Sequence, residues 1–149
     1  MKKFKFSLSH MLEYKDRILD EEKGKLQRFR AEQTEIENHI SRLNSEFQSI
    51  SYEMQKAQEK GTTIIQIKSY NMQLDSIRFK LKELEADLQK AAKKVSDQMN
   101  VVVVANQEVS KLDKLQDKQR EDYIQKETKA EELRVEELVV QSITRKNAG

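Results

Sequence analysis

The sequence predicts an all-α protein: two long helices folded back on one another as an antiparallel coiled-coil hairpin, the second helix longer than the first. Three observations carry this expectation. Apolar residues recur at alternating steps of three and four along most of the chain, a period of about 3.5 residues that keeps one seam turned toward a partner helix. The 149 residues contain no proline and three glycines, Gly24, Gly61 and Gly149, so little interrupts helix propagation. Of those glycines, Gly61 falls where both apolar seams stop.

The first helix is expected over about residues 5–59. Its seam reads Leu8, Leu12, Leu19, Leu26, Phe29, Ile36, Ile40, Leu43, Phe47, Ile50, Met54 and Ala57, interrupted by Lys15, Glu22 and Gln33. A reversal follows at about residues 60–63, where glycine ends one helix and Thr62 or Thr63 caps the next. The second helix is expected over about residues 64–145. Its seam reads Ile67, Tyr70, Leu74, Ile77, Leu81, Leu84, Leu88, Ala91, Val95, Gln98, Val102, Ala105, Val109 and Leu112, then thins through Tyr123, Ala130, Leu133 and Val140. The whole of 1–149 reads as a single hairpin.

A reversal at Gly61 also sets the register. Met54 should face Ile67, Phe47 Leu74, Leu43 Ile77, Ile40 Leu81, Phe29 Ala91 and Leu26 Val95. Any heptad series can be matched again after a shift of seven; the tight glycine turn and the pairing of polar Glu22 with polar Gln98 choose among the shifts. Leu12 with Val109 and Leu8 with Leu112 close the paired region. At 1.5 Å per residue the helices would run roughly 80 Å and 120 Å, leaving about 30 residues of the second without a partner in the chain. A helix of that composition is marginal alone in water, so it should fray until another protein receives it.

Composition narrows the function. The chain carries 28 Lys and Arg against 26 Asp and Glu, interleaved, which marks solvated helix flanks and does not invite nucleic acid. Lys2, Lys3 and Lys5 beside Phe4 and Phe6 form the one compact basic cluster, read as solvated. With no cysteine, disulfides and thiolate-bound metal are excluded. His10 and His39 stand far apart on one helix, adjacent carboxylates such as Glu131-Glu132 face outward, and no glycine-rich phosphate loop occurs. The expectation is therefore a protein that is not an enzyme, with no catalytic residue, metal, cofactor or small-molecule substrate. No stretch approaches the length of a membrane span or a signal peptide, which points to a cytoplasmic protein. Val101 to Val104, the most apolar run, reads as a flank that helps bury Tyr14 or Ile18, or else as a stripe for a partner helix. Tyr52, Tyr70 and Phe79 lie on the half nearest the turn, as seam packing or as interface anchors.

The opening Phe4-Lys5-Phe6-Ser7-Leu8 with Leu12 four residues on, the single reversal near Gly61, and Val135-Glu136-Glu137-Leu138 followed by Arg145-Lys146 together resemble the FliJ family of the flagellar type III export apparatus. The chain departs from that family in having Glu136 where aspartate is usual. The resemblance implies a hairpin similar to the central stalk of rotary ATPases. The end carrying both termini would enter a hexameric export ATPase and promote its assembly. The remaining half would engage the membrane export gate protein, and the chain would escort export substrate chaperones. Carried onto this chain, the resemblance implies ring contacts at Leu8, Met11, Leu12, Ile18, Tyr123, Leu133, Glu136, Glu137, Leu138 and Arg145. It implies gate contacts at Leu43, Phe47, Tyr52, Tyr70 and Ile77. The family's aromatic and small residues of the second helix are not reproduced throughout, Gln73 and Lys80 standing in for two of them. Localisation would be cytoplasmic, peripheral to the inner-membrane export apparatus. The alternatives are a free-standing coiled-coil chaperone or scaffold, and a stalk subunit of a related secretion or rotary ATPase.

Overall fold

The computed structural model describes residues 3–148; Lys2 of the basic cluster lies outside them. Two helices account for nearly all of it, α1 over Ser9–Lys60 and α2 over Ile64–Ala148, and the second is the longer by far. The turn between them is built as its residue types require. Gly61 adopts a φ of 88°, the left-handed region that only glycine enters freely, and its N–H donates to the Gln58 carbonyl at 3.3 Å, satisfying one of the last α1 acceptors. Of the two threonines it is Thr63 that caps α2, its Oγ1 accepting the Gln66 N–H at 3.3 Å. The Thr62 hydroxyl donates instead to the Gln66 side-chain carbonyl.

Contacts group the chain into two units, Glu21–Val103 and the pair Met1–Asp20 with Val104–Gly149. In the first, Leu26, Leu43, Leu74, Ile77 and Ala91 are buried, and the remaining seam residues from Phe29 to Met54 and from Ile67 to Val95 are half-buried, the polar Gln33 included. The register is fixed by Gln98, itself buried, whose side-chain amide donates to the Glu22 carbonyl at 3.0 Å and to the Glu22 carboxylate. A slip of seven residues would set that amide against an apolar or cationic position and leave it without acceptors. Cations close the edges of the seam: the Arg78 guanidinium lies 5.2 Å from the Phe47 ring and the Lys94 ammonium 5.6 Å from Phe29. Their aliphatic stems cover the half-buried rings while the charges stay wet.

The other unit differs from expectation at its start. Helix α1 begins at Ser9, not near residue 5, because the chain turns between Phe6 and Ser9, the Ser9 N–H donating to the Phe6 carbonyl at 3.2 Å. That turn buries Phe6, which stabilises by about 1.5–3 kcal/mol, more than continuing the helix for a few residues would. Phe4 then packs on Tyr123, ring centroids 5.6 Å apart, with the Arg120 guanidinium 5.8 Å from the Phe4 ring. Lys3 and Lys5 of the basic cluster are exposed, as a solvated reading expects, while the two phenylalanines beside them are packing residues. They extend the paired region past Leu112, and Gln116, Gln119, Tyr123 and Glu127 are half-buried. Phe6, Leu19, Ala105 and Val109 form the buried layer of this unit.

Lys15 interrupts the apolar seam by making an ion pair with Glu108 at 2.7 Å. The hydrogen bond to Glu108 raises the Lys15 ammonium above the usual lysine range, and the same bond lowers the Glu108 carboxyl. In the first unit the hydrogen bond from Gln98 holds the Glu22 carboxyl below the ordinary carboxylate range, helped by Lys25. Of the three polar positions in the first seam, Lys15 and Glu22 are thus paired across to α2.

Candidate functional site

Beyond the paired part of α2 every residue from 128 to 147 is exposed. Leu133, Val135, Leu138, Val139, Val140 and Ile143 are all more than half exposed, an apolar content that a solvated helix flank does not carry. At 100° per residue these side chains occupy more than one face: Leu133 and Val140 continue the seam line, Ile143 flanks it, and Val135, Leu138 and Val139 lie across the helix from it. The helix is held by local contacts, Arg134 pairing with Glu131 at 3.7 Å and the Thr144 hydroxyl donating to the Val140 carbonyl at 2.9 Å. Arg145 and Lys146 sit in the last turn, where cations complement the helix dipole. The shallow concavity along Tyr123, Ile124, Glu127, Thr128 and Val135 is the side of one helix with no second wall, so it is a face to be covered and not a pocket.

The residues carried over by resemblance fall into separate classes. Glu136, Glu137, Leu138, Leu133 and Arg145 are exposed on this stretch, and Met11 is half exposed on α1. Leu8, Leu12 and Ile18 are half-buried, and Tyr123 already packs on Phe4. In the other unit, Leu43 and Ile77 are 6% and 4% exposed, so they hold the seam and offer no surface. Phe47 and Tyr70 are half-buried, and Tyr52 stands out at 60% exposure with the Lys56 ammonium 5.5 Å from its ring.

The structure shows one further row, of which the sequence singles out Phe79 alone. Ile65, Met72 and Phe79 recur every seven residues at the position farthest from the seam, and all three are at least 64% exposed. In a two-stranded coil that position normally faces water and is polar. The spacing was visible in the sequence, but attention to the seam residues discards the outermost position. Val101, Val103 and Val104 are likewise exposed, and so is Tyr14, whereas Val102 and Ile18 are half-buried.

Among the described residues, no group of three His, Cys, Asp or Glu side chains is placed to hold a metal ion, and no helix is long and apolar enough to cross a membrane. No curated protein and no solved structure matches the chain. A family model described as Flagellar FliJ protein matches residues 4–148, nearly the whole length. An unequal helical hairpin with this end-to-end match belongs to the FliJ family, components of the flagellar export apparatus.

Proposed function

We propose that this protein is a non-enzymatic, stalk-like coupling factor whose exposed α2 end enters the hexameric export ATPase and promotes ring assembly, while the Glu21–Val103 unit engages the membrane export gate. The observation that carries the reading is the exposed stretch 128–147, with six large apolar side chains on a single helix. A helix of this kind gains most by burial on all sides, as in the bore of a ring, because a flat partner would cover only one of its faces. Glu136, Glu137 and Arg145 supply charge of both signs for a polar ring lining. Leu8, Met11, Leu12, Ile18 and Tyr123 would then meet the mouth of the ring. On the gate side, Tyr52 and the margins of Phe47 and Tyr70 form the contact, joined by Met72 and Phe79; Leu43 and Ile77 act by keeping that seam closed beneath them. Escort of export substrate chaperones would use the same half. The protein would work in the cytoplasm, at the inner face of the export apparatus.

The test is a chain ending at Glu127, which removes the exposed stretch and keeps the Phe4 and Tyr123 contact. It should retain its helical hairpin, read by rapid intramolecular crosslinking of Ile40→Cys with Leu81→Cys, yet lose stimulation of ATPase ring assembly. Full stimulation by the shortened chain would sink the proposal. On the gate side, Tyr52→Ala with Met72→Ala should weaken capture of the gate's cytoplasmic part and leave ATPase stimulation unchanged.

A further inference from the structure

We propose that the turn end of the hairpin is a docking surface for an anionic lipid bilayer, an inference independent of the stalk reading. Ile64 and Ile65, in the first turn of α2, are 74% and 81% exposed. They follow one another at the start of α2, past the seam residues Met54 and Ala57 of α1 and ahead of Ile67, and most of each side chain is open. The surrounding charge is net positive, Lys56, Lys60 and Lys68 against Glu59. From Lys60 to Leu74 there is no aspartate or glutamate, in a chain that carries 26 of them. Lys56, Lys60 and Lys68 are exposed around the isoleucines, and the nearest acid, Glu59, is paired with Lys56 at 3.7 Å.

The start of α2 adds to that field. Its first turn holds no acidic residue, although the positive end of a helix dipole usually attracts one. An apolar apex ringed by cations matches the boundary between anionic headgroups and acyl chains, where isoleucine enters hydrocarbon and lysine reaches back to phosphate. Tyr52, exposed one step farther from the apex, has an amphipathic ring suited to the headgroup level. The convex shape favours a yielding medium over a protein pocket. The cap on Thr63 and the left-handed Gly61 hold the apex in place, so docking needs no reordering of the turn.

The chain contains no tryptophan, so Ile65→Trp installs a single fluorescent reporter in the full-length protein. Vesicles of one part phosphatidylglycerol to two parts phosphatidylcholine should shift its emission to the blue and carry the unlabelled protein into the floated fraction. Pure phosphatidylcholine vesicles should do neither. Lys60→Gln and Lys68→Gln should each lower partitioning about five-fold. Ile64→Ser with Ile65→Ser should lower it further, with helical content unchanged because neither side chain is packed. Leu138→Ser, exposed elsewhere, should leave it unchanged. Equal binding to both vesicle types, indifference to the isoleucine substitutions, or no partitioning at all would overturn the proposal. So would binding to polyglutamate that needs the lysines but not the isoleucines, since that marks an acidic protein as the occupant.

Discussion

The two units of this chain solve one problem in different ways. Glu21–Val103 is a regular seam in which large residues alternate in layers, closed by a single polar pair, Glu22 with Gln98. Met1–Asp20 with Val104–Gly149 has fewer buried apolar residues, replaces a seam position by the Lys15 and Glu108 ion pair, and adds Phe4 and Phe6 from outside the helix. It ends in a stretch that buries nothing. The contrast separates a part whose residues specify folding from a part whose residues are left for another surface.

The largest effect should come from the regular seam. Leu74, 4% exposed, truncated to alanine should cost about 3–4 kcal/mol, because two stiff helices cannot close the void it leaves. Urea unfolding followed by helical circular dichroism measures this, and a loss under 1 kcal/mol would erase the distinction between the units. Phe6→Ala should cost less, about 1.5–3 kcal/mol, since the chain ahead of α1 can relax around the gap. Its signature is local: hydrogen exchange should quicken over 9–20 and stay slow over 40–80. Uniform quickening would show the two units unfolding as one.

Response to pH sharpens the comparison. The Glu22 and Glu108 carboxyls are both lowered by hydrogen bonds in the folded protein. Their contribution is present above the ordinary carboxylate value and lost as pH falls through the lowered one, so acid should weaken both units. The Lys15 ammonium is raised, so its contribution holds below the ordinary lysine value and disappears as pH climbs through the raised one. Through these pairs, alkali should therefore loosen the unit holding Lys15 and Glu108 and spare the Glu22 and Gln98 layer. Exchange at amides flanking Val109 and Gln98, followed across pH, distinguishes them, and Lys15→Met should abolish the alkaline arm.

How much of this was legible follows from the same division. The seam residues were readable because a heptad pattern, one glycine and one polar pair over-determine them, and Gln98 lies against Glu22 as the sequence requires. The start of α1 was not, because Phe4 and Phe6 are two residues apart and belong to no helical stripe. Only the fold reveals that a turn at Phe6–Ser9 sends them inward to pack. Surface residues were harder still. Leu43 and Ile77 are buried as their place in the seam requires, which leaves no surface for the gate contacts that the resemblance gave them, whereas Ile65, Met72 and Phe79 keep heptad spacing on the far side of the helix. Periodicity finds what packs and is silent about what is left outside.

The smallest expected effect on stability is the most informative about function. Leu138 is 64% exposed within a stretch that is exposed from 128 to 147, so Leu138→Ser removes little buried area and should change unfolding by no more than about 0.5 kcal/mol. On the proposed stalk reading the same substitution should reduce stimulation of the export ATPase, because a side chain idle in the free protein would become a contact once a ring closed on it. A stability loss approaching that of Leu74→Ala would mean that the stretch is already covered in solution, by a second copy of the chain. In that case dilution should restore the wild-type difference, since self-association weakens with concentration while burial within one chain does not.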